Sequence, residues 1–593
     1  MSYRYIPPVR DMMFVIADWL DAEANWREIP AWSDLDIKTV QQVLEEAARF
    51  VAERIAPLNT TGDVEGCRFE GGVVTMPSGF RESYRAYVDG GWPSIAVDET
   101  LDGQNLPGLL EVALHEMLAA ANHAWLMSPG LSHGALACLQ AHGPDEVKRD
   151  YLPKIASGEW LATMCLTEPQ AGTDLGQVRT RATPAPDGGY LITGGKIFIS
   201  GGDHDLTDNI VHLVLARLPD APSGTRGLSL FLVPKWLSRN GSQQLRNGVH
   251  CDGMEKKLGL KASPTCTMRF EQARGFLVGE VNRGLGAMFV MMNAARLQVA
   301  MQGVGHAESS WQRARAYAEE RVQGRAVSPR SSGLFDDAGP VPIIIHPAMR
   351  RRLFDLRCMA EASRTIGYWI GGWIDRASHH PDVAERARSE GLASLLTPIA
   401  KAFFTETGFA SASSALQVFG GYGYIHEYGI EQTLRDSRVA MLYEGTNEAQ
   451  AIDLVVRKVI DDKARNVKLL LSLIHEECEI VLSMDSTGKW IAGIVANMCG
   501  QTRQITDTLI ERSDGDRELA YRVADYYLSM FGWLLLAYAW ARTWRIASAK
   551  PKDRFYEEKC VTSLYFFEHR ADDFDHWRRK VETGFGKQLP FLA

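Results

Sequence analysis

Residues Cys165–Gly176 read CLTEPQAGTDLG, and this stretch marks the point at which the chain changes from helical to strand-rich sequence. It brings two hydroxyl groups, two carboxylates and several small residues together within a few positions. A turn of this kind is suited to hydrogen-bonding a flat polar heterocycle or a phosphorylated ligand. A simple surface turn has a similar composition, so the stretch alone leaves both interpretations open.

The sequence that follows is typical of a sheet. From residue 161 to about 280, short β-rich runs such as YLITGGKIFIS, IVHLVLARL, GLSLFLVP and CTMRFEQ alternate with turn residues, which predicts an antiparallel β domain. In Lys196–Gly202, KIFISGG, the strand period of two places Phe198 and Ser200 on one face. An aromatic ring beside a hydroxyl group is able to flank a cofactor, and a core aromatic is the alternative.

Helical periodicity dominates on both sides of this domain. The spacing of apolar residues predicts helices over most of residues 1–160, and a very long helix from Leu285 to Gln323, which belongs in a bundle. Further helices are predicted from Pro347 to about Ile374 and from Pro381 to about Phe409, with a loop over residues 324–342. The predicted fold class is α+β, mainly α, divided into an N-terminal helical domain (1–160), a central antiparallel β domain (161–281), a four-helix bundle (282–462) and an additional C-terminal helical domain (463–593).

A second chemical signal lies in residues 417–450, QVFGGYGYIHEYGIEQTLRDSRVAMLYEGTNEAQ. Three glycines within four residues allow a close backbone approach to a ligand or a partner helix. The run Tyr443–Thr446 places a carboxylate after an apolar segment and before a glycine. Apolar surroundings raise the pKa of a glutamate, as a general base requires. A solvated surface charge is the alternative for a single glutamate.

Composition excludes several classes of protein. The 593 residues suffice for about four domain-sized units of about 150 residues. With 64 Lys+Arg against 73 Asp+Glu, the net charge of −9 argues against nucleic acid as the main partner. The nine cysteines are scattered and never spaced as CxxC, so the sequence predicts neither a disulfide framework nor a metal site.

In three further segments, the surrounding sequence argues against the function that the segment alone would suggest. The N-terminus interrupts its apolar residues with Arg10, Asp11 and Asp18 and lacks a signal-peptide core, which predicts a cytoplasmic location. The charge-free stretch Tyr526–Ala541 is shorter than the roughly 20 residues of a membrane span, so we expect a buried helix. The GxSxG pattern at residues 130–134 follows helical sequence, whereas a nucleophile elbow follows a strand.

The two signals together identify a resemblance. The runs Cys165–Asp174 and Gln417–Asp436 resemble the two signature sequences of the acyl-CoA dehydrogenase family of flavoproteins, in the right order, and the resemblance covers about residues 40–460. The N-terminal YIPPVRDMMFVI, the stretch Glu255–Thr265 and the extra C-terminal block are most similar to the long bacterial branch of the family that includes 3-methylthiopropanoyl-CoA dehydrogenase.

The resemblance implies an activity and a base. Family members convert an acyl-CoA thioester to the trans-2-enoyl-CoA: a glutamate removes the α-proton while a hydride leaves the β-carbon for FAD. By its place in Tyr-Glu-Gly-Thr, the base here would be Glu444. Electrons would pass to an electron-transfer flavoprotein, and the substrate would be 3-methylthiopropanoyl-CoA or another short-chain acyl-CoA.

The resemblance also implies which residues bind the cofactor and the substrate. It further implies a homodimer, since part of each cofactor site would come from the other subunit. Many relatives have tryptophan and threonine where this chain has Phe198 and Ser200, and Glu448 replaces a small or amide residue. The implied FAD-binding residues are Leu166, Thr167, Gly172, Thr173, Phe198, Ser200, Arg321, Gln417, Gly420, Gly421, Thr446 and Glu448. The implied substrate-binding residues are Thr173, Arg296, Tyr443 and Gly445.

Two relatives of the same fold give alternative functions. An acyl-CoA oxidase would share the base but pass electrons to O2, and the sequence does not separate the two activities. A DNA-associated member would need a basic C-terminal domain, but residues 463–593 contain 19 Lys+Arg and 18 Asp+Glu, a net charge of +1.

Overall fold

The computed structural model describes residues 5–186, 188–239, 243–327 and 339–586, and the predicted β domain forms one seven-stranded sheet within them. Its strand order is β10-β11-β5-β4-β6-β3, and β7 pairs with both β11 and β6. Two small hairpins, β1-β2 and β8-β9, accompany it. The strands are β1 Arg68–Glu70, β2 Val73–Thr75, β3 Leu161–Cys165, β4 Arg181–Pro184, β5 Tyr190–Ser200, β6 Ile210–Arg217, β7 Leu228–Pro234, β8 Trp236–Arg239, β9 Gln243–Arg246, β10 Val249–Met254 and β11 Thr265–Val278.

The sheet is mixed rather than purely antiparallel. Strand β3 runs parallel to β6, with Leu161 opposite Ile210 and Cys165 opposite Val214, and β4 also meets β6 in parallel. The reason is topological: β3 reaches β6 only after the chain has passed through β4 and β5, and parallel neighbours need such a long connection. The remaining pairings are antiparallel, as predicted.

Strand β6 separates two hydrophobic cores. Leu213 and Leu215 pack into one core with residues of the surrounding helices, such as Leu139. Val214 and Ala216 point to the other face and pack with residues of β5 and β11. Burial on both faces explains why β6 and β7 are mainly apolar and lack regular polar alternation, with His212 and Ser229 as buried polar exceptions.

The described chain forms two compact units. The sheet unit comprises Arg49–Glu111 and Ala121–Gln298, and the bundle unit comprises Met1–Ala48, Val112–Ala120 and Val299–Ala593. The four-domain division predicted above stays a prediction. The helices are α1 Val9–Met13, α2 Ala22–Arg27, α3 Ile37–Phe50, α4 Leu58–Glu65, α5 Phe80–Asp89, α6 Gly108–Leu126, α7 Gly130–His142, α8 Asp145–Ala156, α9 Gly284–Glu320, α10 Pro347–His379, α11 Val383–Phe419, α12 Ile430–Ser437, α13 Asn447–Ile452, α14 Arg465–Leu482, α15 Ser486–Ser513, α16 Leu519–Ser548, α17 Arg554–His569 and α18 Asp573–Gly584.

The structure confirms the predicted long helix and the interpretation of the GxSxG pattern. Helix α9 runs without a break for 37 residues. The segment Gly130–Gly134 forms the first turns of helix α7, and the Ser132 hydroxyl accepts a hydrogen bond from the Ala162 N–H at 3.2 Å. Ser132 therefore lies inside a helix and not on the strand-to-helix turn of a hydrolase.

The apolar stretch near the C-terminus is the centre of helix α16. Every residue from Tyr527 to Ala541 is buried, as predicted for a core helix. Helices α10, α11, α14, α15, α17 and α18 all pack against it. Within the described ranges, no helix combines the length and the apolar character that a bilayer crossing requires.

The N-terminal segment packs on these C-terminal helices. The indole Nε1 of Trp19 donates a hydrogen bond to the carbonyl of Ala539 at 3.3 Å, and the ring lies edge-on to Tyr538. The Lys559 ammonium, which is 3% exposed, bridges Asp11 at 2.5 Å and Glu361 at 2.8 Å. The first and last parts of the chain thus share one buried interface.

Candidate active site

A buried carboxylate organises the signature turn of the sheet unit. Glu168 accepts hydrogen bonds from the N–H groups of Arg179 and Thr180, at 2.8 and 3.0 Å, and from the Thr180 hydroxyl at 2.6 Å. Its Oε1 also lies 2.9 Å from the Nζ of Lys196, which is fully buried. Burial acts to raise the pKa of Glu168, but the charge of Lys196 and these hydrogen bonds outweigh it and lower the pKa to about 2.

Lys196 and its neighbour Ile197 hold two predicted cofactor residues. Lys196 Nζ donates a hydrogen bond to the carbonyl of Leu166 at 2.9 Å, and the Ile197 N–H donates one to the carbonyl of Thr167 at 2.9 Å. Leu166 and Thr167 are therefore fixed against strand β5, which carries Phe198 and Ser200. Gly172 and Thr173 lie further along the turn, where both are exposed.

Strand β5 contains a bulge that the period of two does not predict. The pairing with β11 shifts between Lys196 and Ile199, and Phe198 adopts a left-handed backbone conformation with φ of +60°. The Phe198 side chain is 59% exposed, whereas Ser200 is half-buried. Strict alternation therefore fails at Phe198, and the bulge turns a large aromatic ring toward solvent.

Arg296 lies on the part of α9 that belongs to the sheet unit. Its side chain is only 8% exposed, and its Nη1 donates a hydrogen bond to the Oδ1 of Asn293 at 3.1 Å. The structure therefore shows Arg296 as a buried helix residue with a partner on the previous turn.

The predicted base lies in a tight loop of the bundle unit, just before helix α13. Glu444 and Gly445 both have left-handed backbone conformations, with φ of +54° and +87°. A glycine accepts this conformation freely, but a residue with a side chain pays about 1–2 kcal/mol for it. Strain of this kind at a non-glycine residue is frequent at functional sites.

Two side chains hold the carbonyl groups of this loop. Gln450 Nε2 donates a hydrogen bond to the Glu444 carbonyl at 3.1 Å. The ammonium of Lys401, on helix α11, donates to the Gly445 carbonyl at 2.7 Å and to the Oδ1 of Asn447 at 3.0 Å. Lys401 has no exposed surface.

The residues on either side of Glu444 have separate anchors. The Tyr443 hydroxyl donates a hydrogen bond to the Oε1 of Gln302 on α9, and burial together with the charge of Glu444 raises the pKa of Tyr443. Thr446 caps helix α13 by accepting the Ala449 N–H at 3.3 Å. The exposed Glu448 lies in the first turn of α13, where its own backbone N–H and the Thr446 hydroxyl lower its pKa.

Four predicted cofactor residues meet in a pocket of the bundle unit. Arg321, Gln417, Gly420 and Gly421 line a cavity of about 550 Å³. The Arg321 guanidinium lies 5.1 Å from the centre of the Tyr422 ring. A Cβ built on Gly420 or Gly421 would meet no atom within 4 Å, so the backbone of both residues is open on that side.

Sequence reasoning missed the residues that support the two loops. The sequence motifs include Glu168 and Lys196 but indicate no role for either, and no motif includes Lys401. Each is a charged residue in an apolar or small-residue run, and that is the signal that would have found them. Across the ranges that the structure describes, no group of three or more His, Cys, Asp or Glu side chains is arranged to hold a metal ion.

Four family models together match about four fifths of the chain. They are described as the acyl-CoA dehydrogenase N-terminal domain (residues 38–159), middle domain (163–273) and C-terminal domain (336–459), and as an acetyl-CoA dehydrogenase C-terminal-like domain (470–587).

Two curated proteins are similar over most of their length. A 3-methylmercaptopropionyl-CoA dehydrogenase of Ruegeria pomeroyi is 44% identical over 79% of this chain and 79% of its own. The broad-specificity linear acyl-CoA dehydrogenase FadE5 of Mycobacterium tuberculosis is 31% identical over 98% of this chain and 97% of its own.

A solved structure of similar fold spans nearly the full length. It is Caenorhabditis elegans ACDH-11 in complex with C11-CoA, with a TM-score of 0.77 at 19% identity, covering 96% of this chain and 91% of the other. At this identity the likeness concerns the fold alone.

Proposed function

The chain belongs to the acyl-CoA dehydrogenase family, and from this premise we propose that it oxidises a short-chain acyl-CoA thioester to the trans-2-enoyl-CoA with FAD as cofactor. It is an oxidoreductase acting on CH–CH bonds, in the branch that contains the Ruegeria pomeroyi relative. The observation that carries the proposal is the left-handed, doubly anchored loop at Glu444, which lies in the Tyr-Glu-Gly-Thr sequence of the family's base.

Glu444 is the proposed general base. Its carboxylate would take the α-proton of the thioester, and closure of the substrate over it would exclude water and strengthen its basicity. Charge then develops on the thioester oxygen, and a backbone N–H directed at that oxygen would stabilise it. The Glu444 N–H is suited to this role because neighbouring side chains fix the loop on both sides of it.

The residues of the bundle-unit pocket fit the phosphate part of FAD. Arg321 supplies a positive charge at the lining of this pocket, beside the Tyr422 ring. Gly420 and Gly421 leave their Cβ sides empty, which allows a ligand to approach the backbone closely. We assign Arg321, Gln417, Gly420 and Gly421 to this contact.

The residues of the sheet unit fit a flat ring. Phe198 exposes an aromatic face on the bulge of β5, and the half-buried hydroxyl groups of Thr167 and Ser200 are possible hydrogen-bonding groups. With Leu166, Gly172 and Thr173 these residues would hold the flavin ring and its neighbourhood. Bound FAD would supply the two-electron acceptor that the oxidation requires.

The assembly, the adenine contacts and the substrate contacts follow the same proposal. Arg321 and its pocket would complete the cofactor site of a second copy, so the enzyme would be a homodimer.

Thr446 and the ionised Glu448 would lie on the adenine side of the cofactor. Tyr443, Gly445, Thr173 and Arg296 would contact the acyl-CoA, and the buried Arg296 would need to reorient to reach it.

The substrate and the electron acceptor rest on the relatives. Similarity to a 3-methylmercaptopropionyl-CoA dehydrogenase favours a short acyl chain of that kind. Similarity to enzymes named dehydrogenases favours an electron-transfer flavoprotein over O2 as the acceptor.

Anaerobic reduction of the bound flavin tests the proposal. The purified holoenzyme is mixed with 3-methylthiopropanoyl-, butanoyl-, octanoyl- and palmitoyl-CoA, and loss of flavin absorbance is followed. We expect the short thioesters to bleach the flavin, and reoxidation to be slow in air and fast with electron-transfer flavoprotein. Fast reoxidation with peroxide release would identify an oxidase, and bleaching by no thioester would refute the proposal.

A further inference from the structure

The backbone at the proposed base is held in a conformation that it would not adopt by itself. Glu444 has a side chain and a φ of +54°, and Gly445 continues the left-handed path with a φ of +87°. An L-residue leaves this region readily unless its surroundings fix it. The direction of the Glu444 carboxylate and N–H therefore depends on whatever holds the loop.

A buried ammonium holds one carbonyl of this loop. Lys401 Nζ donates to the Gly445 carbonyl at 2.7 Å, and its side chain is 0% exposed. Burial of a lysine is costly, and at this site two hydrogen bonds of the ammonium go to the loop and to the first residue of helix α13, Asn447. A buried charge placed in this way stabilises one backbone conformation of the loop relative to the alternatives.

Asn447 connects this contact to the rigid helix α11. Its Nδ2 donates to the Ala402 carbonyl and to the Thr405 hydroxyl, both at 3.2 Å. Lys401, Ala402 and Thr405 occupy adjacent turns of one buried helix. The loop is thus attached to a long, well-packed element, which is the arrangement that positions a reacting group accurately.

Gln450 holds the other carbonyl. Its Nε2 donates to the Glu444 carbonyl at 3.1 Å from one turn into helix α13. A Cβ on Gly445 would approach this Nε2 to 2.6 Å, so the glycine is required for the amide to reach the loop. The carbonyls of Glu444 and Gly445 are therefore fixed by two different side chains.

We infer that Lys401 and Gln450 are positioning residues, which hold Glu444 in the left-handed conformation that directs its carboxylate and N–H at the thioester. The inference rests on the proposed role of Glu444 as base. Neither side chain needs to touch the substrate. Their removal should therefore slow proton abstraction and leave binding of the thioester nearly unchanged.

The test measures anaerobic flavin bleaching by a short-chain acyl-CoA, per bound flavin, in Lys401→Met and Gln450→Leu. A displacement of about 1 Å at a reacting group costs on the order of 10²-fold in rate, so we expect the limiting rate to fall by about 10- to 100-fold. The half-saturating concentration should change by less than about threefold, because binding contacts are kept. In a Glu444→Gln background, neither substitution should lower the bleaching rate much further. The reason is that the effects of substitutions at residues that act together are not additive.

Lys458→Met is the matched control. Lys458 also donates a hydrogen bond to a residue of α11, the Ser394 hydroxyl at 2.6 Å, but it does not belong to the base loop. We expect it to bleach at the wild-type rate. If Lys401→Met does not fold, Lys401→Arg replaces it, since a guanidinium cannot occupy the ammonium position without moving the Gly445 carbonyl.

The outcomes separate the two proposals. A folded Lys401 variant that bleaches as fast as Lys458→Met overturns the positioning role, and so does a loss that persists unchanged in the Glu444→Gln background. If no thioester bleaches the wild-type flavin, the proposed function itself is wrong. If the wild type and Glu444→Gln both bleach normally, the dehydrogenase function stands, but Glu444 is not the base and the positioning role is refuted.

Discussion

The ammonium of Lys196 lies 2.9 Å from the carboxylate of Glu168, and neither side chain exposes more than 4% of its surface. Each group compensates the charge of the other in an environment that solvates neither. The pair also fixes the turn that carries Leu166 and Thr167, because Lys196 donates to the Leu166 carbonyl. The signature turn therefore depends on one buried ion pair for its shape.

Replacing one partner of this pair should destabilise the sheet unit. Glu168→Gln leaves the Lys196 ammonium without a compensating charge, which typically costs about 3–5 kcal/mol. We expect a lower urea midpoint and weaker retention of flavin on gel filtration. Glu159→Gln, which removes an exposed partner of Lys154, is the control and should cost no more than about 1 kcal/mol. Equal midpoints for the two variants would contradict the prediction.

Arg321→Ala should weaken flavin retention. The substitution removes the positive charge from the glycine-lined pocket, and a charge-assisted contact to phosphate is worth about 1.5–3 kcal/mol. The ratio of flavin absorbance to protein absorbance after gel filtration measures the effect. Arg315→Ala, which replaces an arginine paired with Glu319 in the last turns of helix α9, just before Arg321, should retain flavin fully. Unchanged flavin content in Arg321→Ala would argue against the assigned phosphate contact.

Glu444→Gln should bind flavin normally and lose activity. A positioned general base contributes about 10²- to 10⁴-fold, and the amide cannot accept the proton. The anaerobic bleaching rate with a short-chain acyl-CoA measures the loss. Glu390→Gln, an exposed glutamate of α11, is the control with normal activity. Near-normal bleaching by Glu444→Gln would require a different base.

Three buried histidines should make the protein less stable below neutral pH. Burial lowers the pKa of His204 and His212 to about 3 and that of His306 to about 4, whereas an unfolded histidine titrates near 6.5. Between these values the unfolded chain binds protons that the folded chain does not, so the free energy of unfolding falls as the pH falls from about 6.5. Each histidine adds up to about 1.4 kcal/mol per pH unit.

Urea midpoints at pH 7.0, 6.0 and 5.0 measure this dependence in a range where most carboxylates stay ionised. His306→Gln should reduce the slope, and His576→Gln, which replaces an exposed histidine, should not. A stability that is flat over this range would show that the histidines are protonated in the folded state.

Lys559→Met should destabilise the bundle unit. It leaves the carboxylates of Asp11 and Glu361 without the ammonium that bridges them. Because Glu361 keeps Arg357 as a partner and Asp11 is partly exposed, we expect a loss of about 1.5–3 kcal/mol, as for lost hydrogen bonds to charged groups. Urea unfolding followed by circular dichroism measures the change. Arg554→Ala removes an arginine that is 84% exposed from the same helix and should change stability by no more than about 1 kcal/mol. The prediction fails if the two variants unfold at the same urea concentration.

The sequence predicted the main elements well where apolar periodicity decides them. Periodicity predicts the long helix over Leu285–Gln323, and helix α9 runs from Gly284 to Glu320. The helix predicted to end near Phe409 continues to Phe419, however, and Gly408 lies inside it as a packing residue. A Cβ on Gly408 would lie 2.5 Å from the Gly303 carbonyl, so the glycine allows helices α9 and α11 to approach each other.

The spacing of apolar residues does not predict the local backbone conformation of the site. The motif gave Glu444 and Phe198, but their left-handed conformations arise from contacts with residues distant in sequence or from a strand bulge. Lys401 precedes Glu444 by more than forty residues, and only the packing of α11 against the loop brings them together. Patterns along a chain report which face is apolar, and they do not report which carbonyl a buried ammonium will reach.

The interface between the N-terminal segment and helices α16 and α17 has a consequence for synthesis on the ribosome. Trp19 and Asp11 are made more than 500 residues before their partners Ala539 and Lys559. Until those partners are made, the N-terminal helices lack the surface on which they pack. The bundle unit therefore cannot complete its folding before Lys559 has been synthesised, and a product truncated before Lys559 would expose apolar surface that chaperones bind.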